Sequence, residues 1–400
     1  MRRISGIFLA IGSVTALTAC NPDFDPQSLI DKPRILGVRA DPPEVQFTEA
    51  EQGSVTLTAF LALPELPKEG SPGQRELKSL DWFVCFLNLG SQAGYQCAVP
   101  EQPLDSDLAT QTATLDGAVL YAQMNLLRPI FPQFMEFVKQ TVTQDDPCQF
   151  KVIQDWESCT AGNPDDPTPC IDAGFDAERK CLLAKGQDIT IHLTATWTDG
   201  AVDFIADAYK KVYFRPITTE RPANRNPSFS VWLKRTEPLE SSLVTSTSAA
   251  GNLPVVLACP GQQLQLNPIL DAGARETFLN TDGTWSEEYI MVSWFATAGT
   301  FDRVKSSTAT ATPDSPIDLS NALKMPNRAT FPESFPVWVF VRDERLGMDQ
   351  VQFQVRPRDE AACTRPADAP KDWKVPEPEV LPDTSEVVRL NRTVLNGGAA

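Results

Sequence analysis

Gly53-Ser-Val-Thr-Leu-Thr-Ala-Phe-Leu61 alternates cleanly, with Val55, Leu57 and Ala59 on one side and Ser54, Thr56 and Thr58 on the other. A period of two is the signature of a β-strand with one face buried. Similar strands surround it. Arg34-Ile-Leu-Gly-Val-Arg-Ala40 stops at Asp41-Pro42-Pro43, and Leu80-Asp-Trp-Phe-Val-Cys85 follows. Later come Asp188-Ile-Thr-Ile-His-Leu-Thr-Ala-Thr-Trp197, a turn at Thr198-Asp199-Gly200, and Val202 to Phe214. The order then recurs: Pro254 to Ala258 before Gly261 to Leu266, then Tyr289 to Phe295, Val337 to Asp343 and Gln350 to Pro357. Trp82-Phe83 matches Trp294-Phe295, and Arg215-Pro216 matches Arg356-Pro357. Such recurrence reads as a diverged internal duplication.

The fold class is therefore mainly β, with two sandwiches in tandem, at 33–217 and 228–363. One row of each strand fills the space between two sheets, and the tryptophan plugs its middle. This pattern resembles immunoglobulin-like or cadherin-like modules of bacterial surface lipoproteins over 33–63, 80–86, 188–216 and 253–357. It departs from them in lacking the usual inter-sheet cysteine pair in the second module, and Cys85 lies on the tryptophan strand itself. The linker at 218–227 is short and proline-bearing, which predicts modules held end to end. Residues 364–400 read as a disordered Pro/acidic tail.

The interval from Trp82 to Asp199 exceeds that from Trp294 to Asp343 by 68 residues. The first module thus carries an insertion at about 98–184. It holds Cys97, Cys148, Cys159, Cys170 and Cys181, and one helical stretch from Leu115 to Val142. There Phe131, Phe134, Met135 and Val138 recur at helical spacing, with Pro129 and Pro132 suited to a first turn. The rest of the lobe is expected to be loop-rich and held by disulfides.

The amino terminus states where the chain goes. Arg2 and Arg3, the apolar run Ile7 to Leu17, and Leu17-Thr-Ala-Cys20 form a secretory signal over 1–19. The last four residues resemble the lipobox of bacterial lipoproteins. That resemblance implies that Cys20 carries the lipid anchor, palmitate included, with 20–32 as tether. Asn21 implies outer-membrane sorting. A net charge of -17 argues against nucleic acid and against electrostatic adhesion to anionic lipid. The acyl chains must then hold the chain to the membrane. Mean hydropathy of -0.22 and 34 prolines fit a loop-rich β protein.

Of nine cysteines, eight remain beside Cys20, which reads as four disulfides in an exported chain. No CxxC occurs and there is one histidine, so no metal site is expected. Spacing points to Cys85–Cys97, and to Cys148–Cys159 with Cys170–Cys181 or a crossed version. Cys259 and Cys363 flank the first and last strands of the second module. In this topology those strands run parallel, so their ends meet at one pole. Closing that loop of about 105 residues is worth roughly 4.7 kcal/mol in the loop-entropy picture.

Catalytic chemistry finds little support. His192 has the parity of Thr190, Thr194 and Thr196, which aims it at solvent and leaves no triad base. Asp145-Asp146, Asp165-Asp166 and Glu287-Glu288 are acidic pairs in polar loops. Asp41, Asp199, Asn224, Asn226 and Asp343 sit near module ends, where cadherin-like modules hold calcium. Trp156, Trp232, Trp285 and Trp373 are candidate glycan-stacking rings; Trp156 is the leading binding candidate, although packing within the lobe is its expected role, and Trp232 and Trp285 are expected to be partly buried. The expectation is a lipid-anchored envelope protein, structural or binding a protein or glycan, without cofactor or catalysis. Alternatives are a calcium-stiffened adhesion-type spacer and a carboxylate-dependent glycoside hydrolase.

Overall fold

A computed structural model describes residues 27–46, 53–64, 75–88, 95–141, 146–163, 165–217, 222–233, 243–245, 253–279, 284–308, 318–365, 371–372, 374 and 379–381. The signal at 1–19, Cys20, Asn21, Asp145, Trp373 and most of 364–400 lie outside them. The protein is mainly β. Its first half contains β1 (Arg34–Asp41), β2 (Glu44–Val45), β3 (Ser54–Ala62), β4 (Glu76–Cys85), β5 (Gln102–Pro103), β6 (Ser106–Asp107) and β7 (Thr112–Asp116). Then come β8 (Gln187–Thr198) and β9 (Asp203–Phe214). They form sheets ordered β1-β3-β7-β6 and β2-β9-β8-β4-β5.

The second half supplies β10 (Phe229–Trp232), β11 (Leu243–Thr245), β12 (Val255–Ala258), β13 (Gln263–Leu270), β14 (Thr277–Leu279), β15 (Trp285–Glu287) and β16 (Ile290–Ala296). It continues with β17 (Thr300–Phe301), β18 (Lys305–Ser307), β19 (Asn321–Lys324), β20 (Phe335–Asp343), β21 (Met348–Pro357) and β22 (Glu379–Leu381). The sheets are β11-β10-β13-β19-β17 and β18-β16-β20-β21-β12-β22, with β14-β15 a separate hairpin.

Five pairings match between the halves. β1 on β3, β3 on β7, β4 on β8 and β8 on β9 are antiparallel, and β2 lies parallel to β9. Their counterparts are β10 on β13, β13 on β19, β16 on β20, β20 on β21, and parallel β12 on β21. Trp82 and Trp294 occupy equivalent strands and are fully buried in separate cores. The counterpart of Arg34–Asp41 is Phe229–Trp232. Val255–Ala258 instead matches the two-residue β2, so the earlier alignment with Pro254–Ala258 is corrected.

The insertion is helical and shorter than expected. Residues 102–116 belong to the sheets, because β5 pairs β4 and β7 pairs β3. The inserted part holds α1 (Gly117–Leu126), a 3-10 turn (Arg128–Ile130), α2 (Phe131–Thr141), α3 (Pro147–Gly162) and α4 (Thr168–Lys185). Cys148–Cys181 and Cys159–Cys170 are nested and tie α3 to α4; Cys85–Cys97 and Cys259–Cys363 complete the set. Phe131 lies at the lobe's centre, edge-on to Trp156 at 5.4 Å and to Phe175 at 6.0 Å. Gly174 lets α4 approach: a Cβ there would come within 2.8 Å of the Phe131 ring. Gln123, fully buried, donates to the Val84 carbonyl at 2.7 Å and joins lobe to sandwich. The lobe and the first sandwich thus share one core.

The modules lie side by side rather than end to end. A third apolar cluster joins them: Ile30, Leu36, Ala62, Trp338, Phe340 and Met348. A bulge in β1 creates it. Ile35 opposes Leu61 and Gly37 opposes Phe60, leaving Leu36 without a partner and turned toward the other module. Gly37 gives room to the Met348 methyl, which a Cβ would meet at 2.8 Å. Phe60 and Phe295 pack edge-on to Phe340 at 5.4 and 5.8 Å. β20 is consequently buried on both faces, with Val337, Val339 and Val341 in the second core and Trp338 and Phe340 at the junction.

The ends of the chain are also corrected. Within the expected tether, Ile30 donates to the Ala296 carbonyl at 2.9 Å and Ala296 donates to the Ser28 carbonyl at 3.0 Å, so 28–30 run along the second module. Within the expected tail, Glu379–Leu381 pairs with β12. Replacing Phe340 with Ala removes packing from the junction, and the expected cost is about 3–5 kcal/mol. Guanidinium denaturation of the parent and variant reads it, and unchanged midpoints would contradict a junction built on this ring.

Candidate functional site

Where the two modules meet, an apolar seam gives way to a buried ionic joint beside an open cleft. The turn between β20 and β21 supplies Arg345. Its guanidinium reaches Glu44 at 2.6 Å and Glu288 and Glu276 at 3.4 Å each. It also donates to the Pro222 carbonyl at 3.3 Å and lies 5.2 Å from the Phe278 ring centre. Glu44 is held as well by Arg215 at 3.2 Å and accepts from the Asn224 amide at 2.7 Å. The Asn224 side chain donates to Asp343 at 3.1 Å, and Asp343 accepts from the Gly347 amide at 2.7 Å. Asn226 donates to the Ala40 carbonyl at 2.8 Å and accepts from the Met348 amide at 2.9 Å. The linker is thereby stitched to both modules. Gly347 is required here, since a Cβ would fall 2.1 Å from the Asp343 carboxylate.

Burial governs the charges. Desolvation pushes Glu288 up to about 7, against partial relief from the Glu276 amide and Arg345. It raises Asp343 for the same reason. On β9, burial brings Lys210 down to about 8, and its ammonium donates to the Leu346 carbonyl.

The adjacent cleft measures about 870 Å³ and is walled by β1, β9 and the β20–β21 turn. At its mouth is a ladder of rings. Tyr95 stacks on Tyr209 at 4.7 Å, Tyr209 on His192 at 4.7 Å, and Phe83 lies tilted 5.8 Å from His192. The Cys85–Cys97 bond staples the segment that carries Tyr95 and Glu101 over this sheet face. His192 is accordingly half-covered, not free in solvent. Its ring nitrogens lie 3.1 Å from Glu101 and 3.1 Å from Asp207. Thr194 donates its hydroxyl hydrogen to Asp207 at 2.7 Å, whereas His192 is 3.4 Å away. The threonine is therefore not poised as a nucleophile with a histidine base.

No known family model and no curated protein matches this chain. The site must be read from its own atoms. Trp156 is 5% exposed and packed inside the lobe, so it offers no stacking face. Trp285 is 62% exposed on the β14–β15 hairpin rather than partly buried, and Trp232 is half-buried. Three of the five proposed calcium residues, Asn224, Asn226 and Asp343, meet in the joint, where their polar atoms bond to groups of the chain itself. Asp199 caps the β8–β9 turn by accepting from the Ala201 and Val202 amides. Asp41 pairs with Arg39 at 2.9 Å. No metal-ligating cluster of three or more occurs among the described residues. Of the acidic pairs, Asp166 accepts from the Thr168 amide at 3.0 Å, Glu287 pairs with Arg275 at 3.0 Å, and Glu288 is buried against Arg345.

Sequence reasoning missed Glu44, Lys210, Glu276, Arg345 and the Tyr95–Tyr209 pair, and it placed the buried Glu288 in a polar loop. Asp343-Glu-Arg-Leu-Gly347 looks like an ordinary polar hairpin turn, and nothing local marks Arg345 for burial. The one available signal was the even-numbered Lys210 on the apolar-facing parity of β9, beside Ala206 and Ala208.

Removing Arg345 strands the buried Glu44 and Glu288. Arg345→Met should cost about 3–5 kcal/mol, far more than an exposed arginine, measured by chemical denaturation. The pH dependence follows from Glu288. Its carboxyl moves from the ordinary 4.5 to about 7 on folding, so the folded chain keeps a proton that the unfolded chain has released between those values. Its contribution is complete below 4.5 and is lost as pH rises through 7. Glu288→Gln should therefore flatten the fall in melting temperature between pH 5 and 7; an equally steep fall in the variant would refute this assignment.

Proposed function

We propose that this chain is an exported, lipid-anchored envelope protein, acylated at Cys20, whose two immunoglobulin-like sandwiches frame a glycan-binding cleft. The observation that carries the anchor is the cysteine pairing. All eight other cysteines are taken up in four disulfides, which leaves Cys20, behind Leu17-Thr-Ala, as the one cysteine outside them. Disulfides of this density belong to an oxidising compartment. The matched pairings of the two halves support the immunoglobulin-like reading, and Asn21 favours the outer membrane.

The cleft supports binding rather than turnover. Sugars are recognised by an aromatic face together with a few polar groups at fixed positions. Tyr95 is 41% exposed at the end of the ladder, and Asp188, Lys211 and Gln187 line the wall beside it. The buried joint fixes the wall positions, so the cleft is formed before ligand arrives, which lowers the entropic cost of binding.

Mass spectrometry of chain extracted from membranes should find an acylated Cys20 as the first residue; an intact Met1 would overturn the anchor. Binding of cell-wall glycan fragments to the full chain should weaken at least tenfold in Tyr95→Ala. Equal affinity of Tyr95→Ala and parent would remove the glycan reading.

A further inference from the structure

The two most exposed large apolar side chains of the first module lie close together, at one pole, with a third beside them. Ile205 is 67% exposed, the highest among large apolar side chains of the described residues, and Val202 is 56% and Leu63 39% exposed. All three belong to one pole. Leu63 directly follows Ala62, the strand partner of Arg34. Pro64 accepts from Arg75 at 3.5 Å, and the Arg75 guanidinium lies 5.3 Å from the ring centre of Phe204. Phe204 stands between Val202 at the β8–β9 turn and Ile205, which pairs with Thr196 on the outer sheet face.

The amino-terminal segment reaches the same pole. Arg34 donates to the Gln27 carbonyl at 3.1 Å, and 28–30 are fixed along Ala296. Residues 21–26 alone separate Cys20 from Gln27. At the maximal reach of an extended chain they span roughly 24 Å, so Cys20 is confined to the neighbourhood of this end. The helical lobe leaves the sandwich at Asp116, which opposes Ser54 at the other end of β3. That strand is about 30 Å long at the usual rise per residue, which puts the lobe away from the anchor.

We propose that the pole bearing Leu63, Val202 and Ile205 rests against the lipid surface that anchors Cys20, and that the lobe and ionic joint face away from it. The proposal rests on the acylation reading of Cys20. It adds an orientation: the chain lies against the bilayer by a defined apolar pole, and is not merely tethered near it. Val202 at the turn tip enters the interface first, and Leu63 and Ile205 flank it. Isolated apolar side chains of this kind bind weakly alone, but the anchor holds them at high local concentration against the lipid.

The test attaches the anchor chemically, so that it does not depend on acylation in cells. Chain 20–400 is coupled at Cys20 to a dipalmitoyl maleimide and bound to phosphatidylethanolamine–phosphatidylglycerol vesicles. An environment-sensitive fluorophore is carried on a genetically encoded azide at position 63, 202 or, in the lobe, 130. Iodide quenching at 63 and 202 should be at least threefold weaker than at 130, with blue-shifted emission. Equal quenching at 202 and 130 would overturn the proposal. A double variant, Val202→Asp with Ile205→Asp, should restore full quenching at 63 while the melting temperature stays unchanged; retained protection would also overturn it. Mass spectrometry of Cys20 from cells reports separately on acylation, so the two readings fail by different measurements.

Discussion

The seam between β1 and β20 is the constraint on which the rest of the molecule depends. One extra residue in β1 turns Leu36 out of the first core, and Phe340 and Trp338 meet it from a strand already buried on its other face. Apolar contact of this kind is not directional, so it does not by itself choose the angle between the modules. The joint around Arg345 supplies direction. Its carboxylate partners come from β2, from the segment before β14 and from the segment before β16, and only one placement of the modules brings them together. A buried ion set is seldom worth much net stability, because desolvation offsets the attraction. Its use here is to fix the walls of the cleft.

The two halves share a strand frame and differ in what they add to it. The paired frame is kept in both halves, including the parallel pairing of β2 with β9 and of β12 with β21. The large difference falls between β7 and β8, at one pole, where added chain does not interrupt a ladder. Four helices fit there because they extend the core already present, with Gln123 satisfying a sandwich carbonyl and the nested disulfides fixing α3 on α4.

Sequence pattern revealed the strands wherever one face was buried and the other wet, as in β3 and β8. It revealed both tryptophan strands, the extra length of the first half and the amphipathic α2. It missed α3 and α4 because their buried residues, among them Val152, Trp156, Phe175 and Cys181, are interleaved with Asp, Glu and Lys and give a weak helical period. Trp156, flanked by Asp155 and Glu157, looks exposed in sequence, yet its own face turns to Phe131: it packs in the lobe, and the stacking role falls away. The seam was hidden because a bulge breaks the parity on which strand reading rests. The joint was hidden because Glu44, Glu288 and Arg345 lie far apart in the chain, and each alone resembles a solvated charge.

The double burial of β20 makes the two halves depend on each other. Trp338 and Phe340 lie under Leu36 and Phe60, so either half released alone would bare a continuous greasy face and a stranded set of carboxylates. Cutting the chain at the linker would therefore yield two sticky fragments, not two self-sufficient beads.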